Sequence, residues 1–381
     1  MGNHAYYLIK GFARHDLLAR AFVMQAAGAE IPDELIRTGY WTEKLAYRLA
    51  RYTRADQYVV RDNLFDFWVS RQLEQESNIN KNDKAVVFYG WTHHALWSLK
   101  RARRLGMVTI LERANAHPLT YTRLLAAEYQ KRGLRTPPYH PLILKKQLQE
   151  IQTADYLAVT SQWTKQSLLE HGIAERRILL TPLGVDTNHY APLPPLLNQG
   201  RGRGWGELFR VVYVGQICLR KGIPYLLEAW RKLQLKHAEL LLVGDLVGEM
   251  QTILQHARRQ SPTITVQPHT PDAAQFYQQA SVAILPTLED GFGLVVLEAM
   301  ACGIPVIITE HTGAKDCVRP NRDGFLIPPY NMEAIADTLR YCYEHRAQLR
   351  TMGRQARQQA EQFSWTRYQD GLAAQVQRIA G

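Results

Sequence analysis

The sequence predicts an α/β protein of two domains, each built on a doubly wound parallel sheet. Two observations carry this. A chain of 381 residues is too long for one ordinary core and suits two domains of about 150–200 residues. Short apolar runs alternate with helical stretches along most of it, the pattern of parallel strands with helices on both faces. The break between domains is read at Pro192–Gly206, where four glycines and three prolines preclude a packed helix or central strand. The predicted boundaries are a first domain over 1–191, a linker over 192–207 and a second domain over 208–362. A terminal helix over 363–381 follows.

In chain order, Asp83–Gly90 reads as a buried strand closed by glycine, His94–Leu105 as a helix and Met107–Leu111 as the next strand. Ile151–Thr160 reads as a helix end followed by a strand. Ser161 is placed to cap a helix running to about His171, since its hydroxyl can accept a hydrogen bond from a free amide of the first turn. Beyond the linker, strands are expected at Val211–Val214, Leu240–Val243, Ile264–Val266, Val282–Leu285, Val306–Ile308 and Phe325–Ile327. A ligand of such a sheet sits outside the carboxyl ends of its strands.

Composition narrows the function classes. Hydrophobic content of 46% and charged content of 21% describe an ordinary soluble globular chain. No run approaches the eighteen or so apolar residues of a membrane span, and the N-terminus lacks the pattern of a secretory signal. Tyr6 stands where a myristoylated N-terminus needs Ser or Thr. The four cysteines, 218, 302, 317 and 342, show no zinc or disulfide spacing and read as free thiols of a cytoplasmic protein. The net charge of +11 is uneven: Lys and Arg outnumber Asp and Glu by 26 to 18 over residues 1–200 and by 20 to 17 over the rest. A basic first half fits an anionic partner, either a phosphate-bearing acceptor or the acidic inner face of the cytoplasmic membrane; a merely solvated basic surface fits equally. The Arg-Gly alternation at 201–206 is too short to argue for nucleic acid, and no nucleic-acid partner is expected.

The most informative stretch is Leu288–Val306. Acidic Glu289 and Asp290 precede Gly291-Phe292-Gly293, Glu298 follows eight residues after Asp290, and Gly303-Ile-Pro-Val306 leads into a strand. Glycines without a Cβ let backbone approach a ligand closely. The unpaired amides opening the next helix, near Leu294 and Val295, suit an anion. Carboxylates would repel that anion, so hydroxyl groups are their natural targets. A second constellation is Val214-Gly215-Gln216-Ile-Cys-Leu-Arg220-Lys221-Gly222, where two adjacent cations beside a glycine turn offer charge-assisted contacts to a diphosphate.

These residues resemble the donor-site signature of retaining glycosyltransferases of the GT-B architecture, family 4 (glycosyl transferases group 1): Glu, Gly-Phe-Gly, a second Glu after seven residues, then Ala-Met-Ala-x-Gly-x-Pro-Val. Asp290 stands in the register of the first Glu, and Gln216 in that of a loop Arg. The Ala154-Asp155 strand, the Ser161-led helix and Gly184-Val185-Asp186 follow the family order as well. The resemblance implies two Rossmann-like domains facing across a cleft, with the last helix crossing back to the first domain. It implies transfer of a hexosyl unit, with retention, from a nucleotide-diphosphate sugar to a hydroxyl acceptor: a glycan, a lipid-linked acceptor or a small molecule. The donor is a co-substrate; no cofactor and no metal are expected. Arg220 and Lys221 are expected to stabilise the leaving phosphate. Asp290, with the Phe292 and Gly293 amides, is expected to hold the sugar, and Glu298 the ribose. Gly215, Gln216, Glu289, Gly291, Leu294, Val295 and His269 complete the expected donor site, and Glu112, Arg113 and His117 the acceptor side. Family members open on an apolar strand and a glycine-rich loop, whereas this chain opens Tyr6-Tyr7-Leu-Ile-Lys-Gly-Phe12, so the first domain is expected to lack its first strand. That absence, with Gln216 and Asp290, leaves a catalytically silent sugar-nucleotide-binding protein as the alternative.

Overall fold

The computed structural model describes residues 3–25, 31–53, 56–76, 86–134, 139–193 and 208–380. Residues 194–207, most of the expected linker, and residues 83–85 of the first expected strand lie outside the described residues.

The first half opens on a helix, Asn3–Arg14. Strand β1 (Ala21–Val23) follows and pairs in parallel with β2 (Ile36–Thr38) as a separate two-stranded sheet. Helices Tyr40–Thr53 and Gln57–Glu76 come next. A four-stranded parallel sheet then runs in sequence order: β3 (Val87–Trp91), β4 (Val108–Arg113), β5 (Tyr156–Val159) and β6 (Ile178–Leu180). The helix after β3 is Leu96–Arg104, inside the span read from the sequence. Its amides at Trp97 and Ser98 are capped by the buried Asp66 carboxylate of a neighbouring helix.

The second half is one six-stranded parallel sheet of β7 (Phe209–Val214), β8 (Ala238–Val243), β9 (Ile264–Gln267), β10 (Val282–Leu285), β11 (Val306–Thr309) and β12 (Gly324–Ile327). All six contain the strand cores read from the sequence. Spatial order is β12-β11-β10-β7-β8-β9, so the winding reverses between β7 and β10, the place where a doubly wound sheet opens a crevice. The inner strands β10 and β11 are buried along their whole length, as parallel strands covered on both faces require, whereas the edge strands β9 and β12 are partly open.

The final helix, Trp365–Ala380, lies against the first half. Trp365 stacks on Tyr7 with ring centroids 4.1 Å apart, Gln369 Nε2 donates to Tyr7 O at 2.9 Å, and Gln375 Nε2 reaches Thr181 at 2.8 Å. Gly184 meets the Ser364–Trp365 backbone so closely that a Cβ there would stand 2.3 Å from it.

Candidate functional site

Because β7 and β10 are neighbours, the loops after them meet. Leu288 N donates to Arg220 O at 2.8 Å and Thr287 Oγ1 to the same oxygen at 3.1 Å. The loop after β7 turns at Gly222, whose φ of +67° and a Pro286 carbonyl 1.9 Å from any added Cβ admit no side chain. Three of the four residues that matter most are brought together. Lys221 Nζ pairs with Asp290 Oδ2, and Arg220 Nη1 donates to Glu289 O at 2.8 Å. Burial raises the Asp290 carboxyl, but Lys221 and Arg220 outweigh it and hold it below the ordinary value. Burial disfavours the Arg220 charge, and Asp290 and Tyr121 more than restore it. Helix Leu294–Ala301 begins at Gly293, with φ +86° and no side-chain cap. Leu294 and Val295 are half-buried at that N-terminus. A positive helix end, two cations and a carboxylate thus share one crevice wall.

Glu298 stands on the same helix but apart from the ion pairs. Tyr277 OH donates to its Oε2 at 3.3 Å, and Tyr190 bonds to it as well. Burial lifts its carboxyl to about 7 against those two hydrogen bonds. Gln216 is exposed at the end of β7, its carbonyl accepting from Tyr213 OH at 2.7 Å, and Gly215 beside it has φ +139°. His269 is exposed two residues past β9.

Several expected site residues do other work. Gly291 was read as making room for a ligand; it makes room for the other half of the molecule. A Cβ there would lie 1.6 Å from Ala114 O, and its own carbonyl accepts from Ser161 Oγ at 2.5 Å and Thr164 Oγ1 at 3.3 Å. Gly313 repeats the motif, with an added Cβ 2.6 Å from Ser161. Glu289 is fully buried and its carboxylate is occupied by Ala116 N at 3.0 Å and Asn115 Nδ2 at 3.1 Å, so it clasps the first half instead of a donor. Burial raises its pKa, partly offset by Arg220 and the Ala116 amide. Phe292 is buried, and its amide bonds to Asp290.

The acceptor-side trio also turns inward. Glu112 is 2% exposed and faces helix Asn3–Arg14, bonded by Tyr89 OH, with His4 Nε2 3.6 Å away. Burial lifts it to about 8. Arg113 is wholly buried and ties its own loop together through Ala116 O at 2.6 Å, Thr92 Oγ1 at 3.1 Å and Gln147. His117 caps helix Pro118–Lys131 and stacks on His171 at 3.9 Å. Strand alternation explains the reversal: Glu112 and Arg113 point to opposite faces of β4, and both faces are covered. The sequence reading missed Tyr121 and Tyr139, partly exposed and stacked at 4.3 Å, which feel both Arg220 and Glu289 electrostatically. Neither stands in a motif, so no local signal marks them. A cavity of about 670 Å³ lined by Pro192, Cys302, Arg354 and Arg357 contains none of the expected site residues.

A family model described as "Glycosyl transferases group 1" matches residues 209–345, the whole six-stranded sheet with the crevice wall just described. That segment is similar to group 1 glycosyltransferases. The chain is 28% identical over 223 residues to D-inositol 3-phosphate glycosyltransferase of Paenarthrobacter aurescens (strain TC1), covering 56% of this chain and 55% of the relative. The capsular polysaccharide biosynthesis glycosyltransferase CapM of Staphylococcus aureus is 26% identical over 248 residues, 61% of this chain and 65% of CapM. The chain thus spans about half the length of the first of these curated relatives. Among solved structures, sucrose-phosphate synthase of Thermosynechococcus elongatus superposes with a TM-score of 0.71 at 20% identity, over 100% of this chain and 94% of that one. Anabaena HepE in complex with UDP and glucose gives 0.70 at 18% identity, over 99% and 96%. The fold around the matched segment is therefore GT-B, two α/β units facing across a crevice. Among the described residues no helix is long and apolar enough to cross a membrane.

Proposed function

We propose that this chain moves a hexosyl unit from a nucleoside-diphosphate sugar to a hydroxyl of a glycan, lipid-linked or small-molecule acceptor, with retention at the anomeric carbon and without a metal. The observation carrying the reading is the meeting of Arg220, Lys221 and Asp290 beside the uncapped helix at Gly293. HepE, which shares the fold, holds UDP and glucose. As the anomeric C–O bond lengthens, negative charge grows on the diphosphate oxygen. Lys221, Arg220 and the amides opening helix Leu294–Ala301 are set to stabilise it, and because they are already positioned, little reorganisation accompanies the step. Asp290 keeps the Lys221 ammonium aimed into the crevice and turns its other oxygen to sugar hydroxyls. Glu298 serves the ribose hydroxyls in its ionised form. The departing phosphate takes the acceptor proton, so neither carboxylate acts as nucleophile.

The test is turnover of a panel of UDP-, GDP- and ADP-sugars in EDTA, with product configuration read by proton NMR. Expected are one preferred donor, an axial product from an axial donor, and a loss of roughly 10²–10³ in kcat/KM for Lys221→Ala. Near-normal turnover by Lys221→Ala and Glu298→Ala would remove the basis of the mechanism. One observation favours a second reading, a nucleotide-binding protein without turnover: both cations are already engaged by the neighbouring acidic pair. Thermal stabilisation by a nucleoside diphosphate with no donor consumed would select it.

A further inference from the structure

The helix Tyr40–Thr53 presents a surface that the transfer reaction does not use. Five of the twelve exposed large apolar side chains among the described residues stand on it: Leu49, at the margin of the packed side, and the four aromatics Tyr40 at 45%, Trp41 at 50%, Tyr47 at 61% and Tyr52 at 81% exposure. With 3.6 residues per turn the four aromatics fall within a sector of about 140°, and Leu49 lies outside it. The exposed cations Lys44, Arg48 and Arg51 fall in the same sector. The one acidic residue of the helix, Glu43, lies outside it and accepts from Gln25 at 3.0 Å. The opposite side is the packed one, with Thr42 and Ala46 buried against the molecule. Tyr58, at the start of the next helix, continues the pattern with Arg61 5.1 Å above its ring.

A solvated face needs cations or carboxylates, not four aromatic rings, and a protein-docking face has little use for three cations set evenly among them. We infer that this face seats the first half on an anionic lipid bilayer, with the helix lying in the plane of the interface. Tyr and Trp place apolar rings at the headgroup level with their polar atoms toward water. Lys and Arg extend their aliphatic stems along the same surface and carry their charge to lipid phosphates. The absence of carboxylates from the sector makes the charge match one-sided. The inference is independent of the transferase reading, since it concerns no residue of the crevice.

Sedimentation of the full chain with phosphatidylcholine vesicles, with and without phosphatidylglycerol, tests it. Binding is expected only with the anionic lipid, weakening as salt shortens the range of charge attraction. The double variant Trp41→Ser/Tyr52→Ser and the triple variant Lys44→Gln/Arg48→Gln/Arg51→Gln are each expected to bind about tenfold more weakly. Circular dichroism and nucleotide binding should be unchanged in both. Removing two exposed cations elsewhere, Arg258→Gln/Arg259→Gln on helix Gln251–Gln260, is expected to leave binding as it was. Equal binding to neutral and anionic vesicles, no vesicle binding at all, or an equal loss in the Arg258/Arg259 control would overturn the assignment. So would retention on heparin that ignores the aromatic substitutions, which would point to a soluble polyanion.

Discussion

The two halves use their strand ends differently. After β7 and β10 the chain leaves buried strands through glycine turns and sets Arg220, Lys221 and Asp290 at the crevice. After β4 it leaves through Arg113, a wholly buried guanidinium that donates to uncharged oxygens of its own half, Thr92 Oγ1, Ala116 O and Gln147 Oε1. The first arrangement keeps charge near the surface, where a ligand can exchange for a protein partner. The second consumes its charge in holding a loop shape, and that loop in turn supplies Asn115 and Ala116 to Glu289. A strand end in an α/β fold is therefore an opportunity for a site, and packing decides whether it becomes one.

The contrast can be broken most forcefully at Gly291. Gly291→Ala is expected to part the halves, because no rearrangement of a Cβ relieves a contact with main-chain Ala114. Activity should fall by about 100-fold or more and small-angle scattering should show a larger radius of gyration; an unchanged radius with full activity would mean that the two halves do not meet there in solution. Next is Arg113→Leu, which strands Gln147 and the Ala116 carbonyl and should cost about 3 kcal/mol in urea unfolding. Arg113→Lys recovering most of that loss would show that charge, not the guanidinium fork, is what the loop needs.

Two smaller effects separate the halves by pH. Glu112 is lifted to about 8, so its protonated form favours the folded state. Its contribution is fully present below its ordinary value near 4.5 and is lost as pH rises toward 8. Glu112→Gln should therefore gain stability relative to the parent steadily from pH 5 to 8. The neighbouring His4, pushed down to about 4 by burial, works the opposite way between about 4 and 6.5 and cancels in that difference. A flat difference would place the Glu112 carboxyl in water. Glu298, lifted to about 7, is needed ionised by the proposed ribose contact. Donor KM should fall by roughly tenfold from pH 6 to 8, and Glu298→Gln should abolish that slope.

The second half was legible because fold and site are written in the same few residues there. A strand of Val, Ile and Leu, a glycine forced by φ, and the charges beside it are adjacent in sequence, so spacing alone brings them to one wall. Gly291 shows the limit of that reading. Its conformation and its lack of a Cβ could be anticipated, but not that the backbone pressing on it belongs to Ala114, some 180 residues earlier. Glu112 and His117 turn inward for a different reason: a polar residue at a strand end predicts a site only if its surroundings are open, and here helix Asn3–Arg14 and helix Trp365–Ala380 lie over Glu112 while His117 stacks on His171. Tyr121 and Tyr139 carry no spacing rule at all, since neither stands in a motif and only their stacking brings them together.

Glu289 and Asp290 carry one further consequence. Extended backbone sends the two carboxylates in opposite directions, one to the far half and one to Lys221, while the Glu289 carbonyl holds Arg220. Anyone redesigning sugar preference by scanning this acidic pair will find that position 289 answers for assembly as well as for chemistry. Gln216 and His269 are exposed, so libraries built there test the proposed donor contacts with less disturbance of that assembly.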